Sequence, residues 1–383
     1  MKVLGRASIS DLLGGFIAYR SLCPMDARLR GLPAAQPGCD PDRPSNGSER
    51  MLRVPRKGTE DHARAVAAFL HEAQRLSQDG ICKPPVRLLY VGDSSGSDAS
   101  SFACLCRVTG WVGRALIVAE TTQAPKVRSK RVDRNVVLFA NRWETVCGFA
   151  EQAFADGYGV DQRTVVVVDV DKTLIGARGR NSTPLDRARL EALLHVAREA
   201  TGGTIDERLL ESNLRDLDRS SWHPLTADNQ DVVAYLALVT ATGGIGIGEL
   251  RGTERTFASV IADISEWKHR LMPGIRRIHE SVAEQVELGS PTPFVAFRQS
   301  EYWATRERIL VEADGGSADV RLDEEIVMTG EVWQAVRGWQ RHGCTVFGLS
   351  DKPDEACFPA GGSVSEEALP LHRIRMSIIG GGE

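Results

Sequence analysis

Short apolar runs alternate with stretches of helical periodicity through the first half of the chain. Apolar residues recur at helical spacing between Thr59 and Ser77, and further helices are expected near residues 101–112 and 143–156. The apolar runs predict strands, which read VRLLYVGD, RALIVAE, NVVLFA and TVVVVDVD in chain order. A continuous β-branched run such as the last of these is typical of a central parallel strand covered on both faces. Strands that alternate with helices predict an α/β fold with a doubly wound parallel sheet.

The pattern changes after Asp171. Residues from about 176 to 323 show mainly helical periodicity, and Thr183 and Pro184 are suited to the start of the first of these helices. Alternation resumes with a helix near residues 332–339 and the strand CTVFGLSD, and RIRMSII is one more possible strand.

These changes divide the chain into four predicted segments. A stretch rich in Pro, Gly, Asp and Ser at about 25–50 predicts a long loop near the start. The segments are an N-terminal segment with its loop (1–56), a first part of the α/β core (57–175), a large, mostly helical insertion (176–325) and a second part of the core (326–383).

Composition and net charge restrict the kinds of molecule that the protein is expected to bind. The 383 residues suffice for two to three domains at roughly 150 residues each, and 42% hydrophobic with 26% charged residues is ordinary for a soluble globular protein. The net charge is −4, whereas proteins that bind nucleic acid usually have a basic excess, so we expect no nucleic-acid partner. No apolar run approaches the ~20 residues of a membrane helix. Asp11 interrupts the one candidate signal-peptide core, so we expect a cytoplasmic protein without membrane contacts.

Two carboxylates, Asp169 and Asp171, follow the VVVV strand directly, and Thr173 comes two residues later. Ligands of open α/β sheets bind at such carboxyl ends of strands. The first carboxylate can act as a nucleophile, and both residues can contribute oxygens to Mg²⁺. The pattern therefore favours a reaction site over a simple turn.

The motif hhhhDxDxT resembles the haloacid dehalogenase-like (HAD) hydrolase superfamily. The resemblance implies that Asp169 is the nucleophile, that Asp171 is the general acid and base, and that Thr173 orients the loop. A carboxylate at the second position is typical of the phosphatases of that superfamily and is lacking in its dehalogenases. A leaving alkoxide has to be protonated and a halide does not, so phosphoryl transfer is favoured.

The superfamily also requires a Ser or Thr at the end of the next strand, an acidic pair and a lysine. Ser350 ends the strand CTVFGLSD, but only 383 − 350 = 33 residues follow it, too few for the remaining elements in their usual order. They occur instead at the front of the chain, with the acidic pair in GDSSGSD, whose carboxylates are Asp93 and Asp98, and Lys57 ahead of a helix. Lys352 is an alternative for the lysine.

We therefore predict a circularly permuted core, a rearrangement tolerated when the original termini lie close together. In the alternative interpretation, residues 57–156 form a separate Rossmann-like domain and GDSSGSD is an ordinary loop.

The resemblance implies a Mg²⁺-dependent phosphatase that acts on a small phosphorylated metabolite through an aspartyl phosphate. Mg²⁺ would be held by the Asp169 carboxylate, the Asp171 backbone carbonyl and Asp93, with Asp98 bound directly or through water. The helical insertion occupies the position of a C1 cap that closes over substrate. Three alternatives stay open: a phosphonatase, a phosphotransferase, and a binding protein on a core that has lost catalysis.

Two arginines just past the nucleophile loop, Arg178 and Arg180, are candidates for binding a second anionic group of the substrate. The sequence leaves the oligomeric state open.

Overall fold

The computed structural model describes residues 1–13, 16–20, 56–77, 83–155, 157–252, 255–311, 316–359 and 368–381. The loop expected at about 25–50 lies outside these residues. The chain divides into two compact units. The first comprises Met1–Leu185, Arg306–Asp354 and Leu369–Glu383, and the second comprises Asp186–Thr305 and Glu355–Ala368.

The strands and helices are numbered in chain order. The strands are β1 (Lys2–Ala7), β2 (Ile17–Ala18), β3 (Arg87–Gly92), β4 (Val112–Val118), β5 (Val127–Val132), β6 (Asn135–Ala140), β7 (Thr164–Asp169), β8 (Met328–Thr329), β9 (Thr345–Leu349) and β10 (Met376–Gly380). The helices are α1 (Ile9–Leu13), α2 (Glu60–Ser77), α3 (Ser97–Thr109), α4 (Thr145–Ala155), α5 (Ser182–Thr201), α6 (Glu207–Leu217), α7 (His223–Thr226), α8 (Gln230–Ala241), α9 (Phe257–Glu266), α10 (Pro273–Glu287), α11 (Val295–Leu310), α12 (Ala318–Glu324) and α13 (Gly330–Arg341).

A seven-stranded sheet forms the centre of the first unit, in the order β2-β9-β7-β3-β4-β6-β5. All neighbouring strands in it run parallel except β5, which is antiparallel to β6. All six residues of β7 are buried, as expected for a central strand whose side chains are apolar on both faces. The prediction of an α/β fold built on a mostly parallel sheet is therefore confirmed.

Helices cover both faces of this sheet. Val165 and Val167 of β7 join a core cluster with apolar residues of α2 and α3. On the other face α4 packs against α13, and the rings of Phe149 and Trp339 meet edge to face at 6.4 Å.

Several strands were not predicted from the sequence. The N-terminal segment supplies β1 and β2, and β2 extends the main sheet beside β9. The run RIRMSII does form a strand, β10, but it pairs with β1 and β8 in a separate three-stranded sheet. Strands β1 and β2 therefore join the first unit through pairing with strands from the far end of the chain.

The second unit is helical in the part of the chain that the structure describes. Its α8 helix has Asp231 to Thr240 all buried, so this mostly apolar helix is enclosed around its whole circumference. Arg298 compensates the buried Asp231, with Nε and Nη2 donating to Asp231 Oδ2 at 2.8 and 2.6 Å. Helices α5 to α12 confirm the predicted helical character of the described residues between 176 and 323.

Candidate active site

Three neighbouring strands, β3, β7 and β9, bring the predicted site residues to one edge of the main sheet. In the parallel register Val91 lies beside Val168, and Leu349 lies beside Asp169. Asp93 and Ser350 therefore follow directly on the two sides of Asp169, because the carboxyl ends of parallel strands meet at the same edge.

Lys57 connects the end of β7, where Asp169 lies, to the acidic pair. Its Nζ lies 2.5 Å from Asp169 Oδ1 and 2.5 Å from Asp98 Oδ1, and the side chains are 3%, 8% and 1% exposed, respectively. Burial lowers the pKa of Lys57, but the Asp169 and Asp98 carboxylates outweigh burial and raise this pKa well above its usual value. Lys57 is therefore a fixed positive charge beside the candidate nucleophile.

Asp98 holds the acidic loop and Lys57 together. Its Oδ2 accepts the N–H groups of Asp93 at 3.0 Å and Ser94 at 2.9 Å, and its Oδ1 accepts the Tyr90 hydroxyl at 3.0 Å in addition to Lys57. Burial raises the pKa of Asp98, but Lys57 and these hydrogen bonds outweigh burial and hold this pKa below its usual value.

The glycine of the GDSSGSD motif has a steric role at this point. A Cβ atom on Gly92 would lie 2.4 Å from Asp98 Cγ, so any larger residue would displace the carboxylate. Sequence reasoning missed Tyr90, whose hydroxyl donates to Asp98. The available signal was a tyrosine in the otherwise aliphatic stretch LLYV of β3.

Asp93 is paired on its other side with Arg178, whose Nε donates to Asp93 Oδ2. Burial and the nearby Asp98 charge raise the pKa of Asp93 to about 6. Burial and the Asp98 charge also raise the pKa of Asp169 well above its usual value. Deprotonating these carboxylates together is therefore unfavourable unless additional positive charge is present.

The three carboxylates have the composition of a site for a hard divalent cation. Oxygens of Asp93, Asp98 and Asp169 lie within 4.8 Å of one another, and all three residues are buried. Three carboxylates against Lys57 and Arg178 give a net charge of −1 when all are ionised, which a divalent cation would offset. Mg²⁺ prefers oxygen ligands and needs few protein carboxylates, so the residues fit it. Both oxygens of Asp98 already accept hydrogen bonds, which favours direct coordination by Asp93 and Asp169.

The second lysine contacts the second aspartate of the motif. Lys352 Nζ lies 3.2 Å from Asp171 Oδ2, and the Lys352 N–H donates to Ser350 Oγ at 3.1 Å. Of the two lysines that the sequence left open, Lys57 is thus the one against Asp169.

Thr173 is buried beneath the loop that follows β7. Its backbone carbonyl accepts the Thr329 hydroxyl at 2.6 Å, which ties the loop to β8. Within the loop, Lys172 adopts the left-handed conformation with φ of 63°, and the Leu174 N–H returns to the Asp169 carbonyl at 3.2 Å. The chain therefore turns sharply just after Asp171.

The two candidate substrate arginines have different surroundings. The Arg178 side chain is 44% exposed and contacts Asp93, whereas the Arg180 side chain is 5% exposed. Arg180 donates to Glu120 and Glu331 and forms an ion pair with Glu144 at 3.3 Å. These carboxylates occupy the Arg180 guanidinium, so its contacts favour a structural role over the predicted contact with substrate.

Comparisons with protein-family models, with curated proteins and with solved structures gave no match. Among the described residues, no helix combines the length and apolar character required to cross a bilayer.

Proposed function

We propose that the protein is a Mg²⁺-dependent phosphatase on a HAD-like core with permuted motif order. The observation that carries the proposal is the position of Lys57 Nζ, 2.5 Å from both Asp169 and Asp98. Lys57 and Asp169 are 112 positions apart in the chain. Their convergence supports the permuted interpretation over a separate Rossmann-like domain in which GDSSGSD is an ordinary loop.

The residues fit a two-step displacement. Asp169 attacks the phosphorus atom, an O–P bond to its carboxylate forms, and the bond to the leaving oxygen breaks as Asp171 donates a proton to that oxygen. Asp171 then removes a proton from a water molecule, the water oxygen attacks phosphorus, and the Asp169 carboxylate is released. Lys57 offsets the charge that gathers between nucleophile and phosphate throughout.

The remaining residues position the reacting groups. Ser350, at the neighbouring strand end, would donate its hydroxyl to a phosphoryl oxygen. Lys352 would keep Asp171 oriented toward the leaving group. When bound by Asp93, Asp169 and the Asp171 carbonyl, Mg²⁺ would supply the positive charge that allows an anionic nucleophile to approach an anionic phosphate.

The substrate class is part of the proposal. The helical second unit follows the nucleophile loop in the chain at the position of a cap, which supports a small phosphorylated metabolite as substrate. A phosphonatase that forms a Schiff base on a lysine of this unit is not favoured, because Lys268 is half-exposed and paired with Glu280 at 2.9 Å.

The experiment is hydrolysis of p-nitrophenyl phosphate with and without Mg²⁺. We expect turnover that requires Mg²⁺, that is abolished by Asp169→Asn, and that Asp171→Asn lowers by about 10² to 10⁴-fold. The matched control is Asp161→Asn, just before the opposite end of β7, where the carboxylate contacts Arg87. This variant should keep full activity.

Mass spectrometry of the enzyme quenched in acid should detect a phosphoryl group on the peptide that contains Asp169. Turnover that persists in Asp169→Asn, or wild-type protein without Mg²⁺-dependent turnover across a panel of phosphorylated metabolites, would contradict the proposal.

A further inference from the structure

The edge strand β5 has an unusual combination of charge and exposure. All six of its residues, Val127 to Val132, are exposed, whereas the other strands of the main sheet contain buried residues. The segment from Lys126 to Arg134 contains five basic residues and one acidic residue, counting both ends, so its local charge is +4 in a chain whose net charge is −4. This basic edge is independent of the proposed catalytic site.

The backbone of β5 offers hydrogen bonds on its outer side. The Asn141 N–H donates to the Lys126 carbonyl at 3.3 Å, and the register pairs Val132 with Asn135 across a two-residue turn. In an antiparallel ladder, hydrogen-bonded residue pairs alternate with non-hydrogen-bonded pairs, so the even-numbered residues of β5 bond to β6. Val127, Ser129 and Arg131 therefore direct their N–H and C=O groups away from the sheet.

Side chains of the basic edge are arranged with the period of a strand. Lys126, Arg128 and Lys130 fall on one face at intervals of two residues, about 7 Å apart. Residues directly opposite on paired strands share a face and interact. An added strand with carboxylates at every second position would therefore place them against Arg128 and Lys130.

We propose that β5 is a docking edge for an extended acidic peptide, which adds an eighth strand to the seven-stranded sheet. The peptide carries Glu or Asp at alternate positions, and small or β-branched residues between them meet Val127 and Ser129. The backbone supplies the affinity, and the alternating cations select the acidic sequence.

A second copy of the chain does not fit this edge as well. Antiparallel pairing of two β5 strands would bring rows of basic residues against each other, and like charges directly opposite are destabilising. Duplex nucleic acid is disfavoured by the net negative charge of the chain, because it would repel a polyanion at long range.

The test is fluorescence anisotropy of a labelled peptide of alternating Thr and Glu with the full chain. We expect saturable binding that weakens with added KCl, since the charges are exposed to solvent. A peptide of the same composition with its Glu residues in one block should bind at least about tenfold more weakly, a difference of 1.4 kcal/mol. The double variant Arg128→Glu, Lys130→Glu should lose binding to a similar extent.

A backbone variant separates strand addition from simple charge attraction. Ser129→Pro removes an outward N–H and leaves the bonds to β6 in place, as proline is tolerated on edge strands. It should abolish binding, whereas the control Ser129→Ala should retain it. Both variants should keep the far-UV circular dichroism of the wild type.

Three results would overturn the proposal. These are equal binding of the alternating and block peptides, wild-type affinity in Ser129→Pro, and displacement of the peptide by duplex DNA at equal charge concentration. The last result would assign the basic edge to nucleic acid.

Discussion

The contact of Lys57 with two buried carboxylates makes a quantitative prediction. Lys57→Met removes the ammonium group and keeps most of the aliphatic stem. Asp98 and Asp169 would then face each other with side chains no more than 8% exposed. Removing one partner of a buried ion pair costs about 3–5 kcal/mol, because the remaining charge is left without compensation. We expect the free energy of unfolding to fall by that amount in the absence of divalent cations.

Urea unfolding followed by circular dichroism measures this loss, and a double-mutant cycle with Asp98→Asn isolates the contact. The double variant should be more stable than the sum of the single effects implies, by about 0.5–3 kcal/mol. Arg64→Met on α2, the helix that follows Lys57 in the chain, is the control, because the Arg64 guanidinium forms exposed ion pairs with Glu60 and Asp61. That variant should lose less than about 1 kcal/mol.

Additive effects, within about 0.5 kcal/mol, would refute the reasoning. They would mean that Lys57 and Asp98 do not act on each other in the folded protein. The site would then lack the contact on which the proposed function depends.

Three further predictions concern stability. Gly92→Ala forces a Cβ against Asp98 and should lower the free energy of unfolding by about 1–3 kcal/mol, measured by thermal denaturation. The comparison is Gly148→Ala in α4, an exposed position with open space around the added Cβ, which should not destabilise the protein. His62 is buried, and burial lowers its pKa to about 4, so the unfolded chain binds the extra proton between pH 6.5 and pH 4. The free energy of unfolding should therefore fall as pH is lowered through this window, and His62→Leu should remove about 2 kcal/mol of the fall between pH 7 and pH 5. Urea unfolding at a series of pH values measures this, and an equal pH dependence in both proteins would contradict the prediction. Arg298→Met removes the cation that contacts both buried carboxylates, Asp231 and Glu301, and should lower the free energy of unfolding by about 3–5 kcal/mol in urea unfolding, and the additional change Asp231→Asn should restore part of this loss.

The regular core was predictable because its signals are local. The run Val165 to Val168 is apolar on both faces, and such a strand has few stable positions other than the middle of a covered sheet. The helix from Glu60 to Ser77 was placed within one residue, since its apolar stripe is continuous. The short strand β2 could not be found this way, because two residues carry no periodicity and the strand is defined by β9, more than 300 positions later.

The basic edge shows a second limit to what the sequence can predict. Polar side chains on both faces of VRSKRV give neither alternation nor a buried run, so no strand was predicted. Pairing with β6 through a two-residue turn defines this strand, and that pairing does not require burial.

For the candidate site, the resemblance to the HAD superfamily led to the prediction that Lys57, Asp93, Asp98 and Asp169 meet, and the structure places them together. The sequence does not predict the directions in which side chains near this site point. The path of the loop after β7 determines two contacts. It pairs Arg178 with Asp93, and it buries Arg180 among carboxylates that lie up to 151 positions away in the chain. Sequence spacing cannot specify such a path, so the carboxylates around Arg180 were not predicted.

The pairing of β1 with β10 has a consequence for synthesis on the ribosome. The first strand ends at Ala7, and its partner begins at Met376. At about 5–20 residues per second, the partner emerges roughly 20 to 70 s later. During this interval the backbone hydrogen-bonding groups of β1 have not yet met β10, so this strand can pair with other extended segments until Met376–Gly380 have been synthesised.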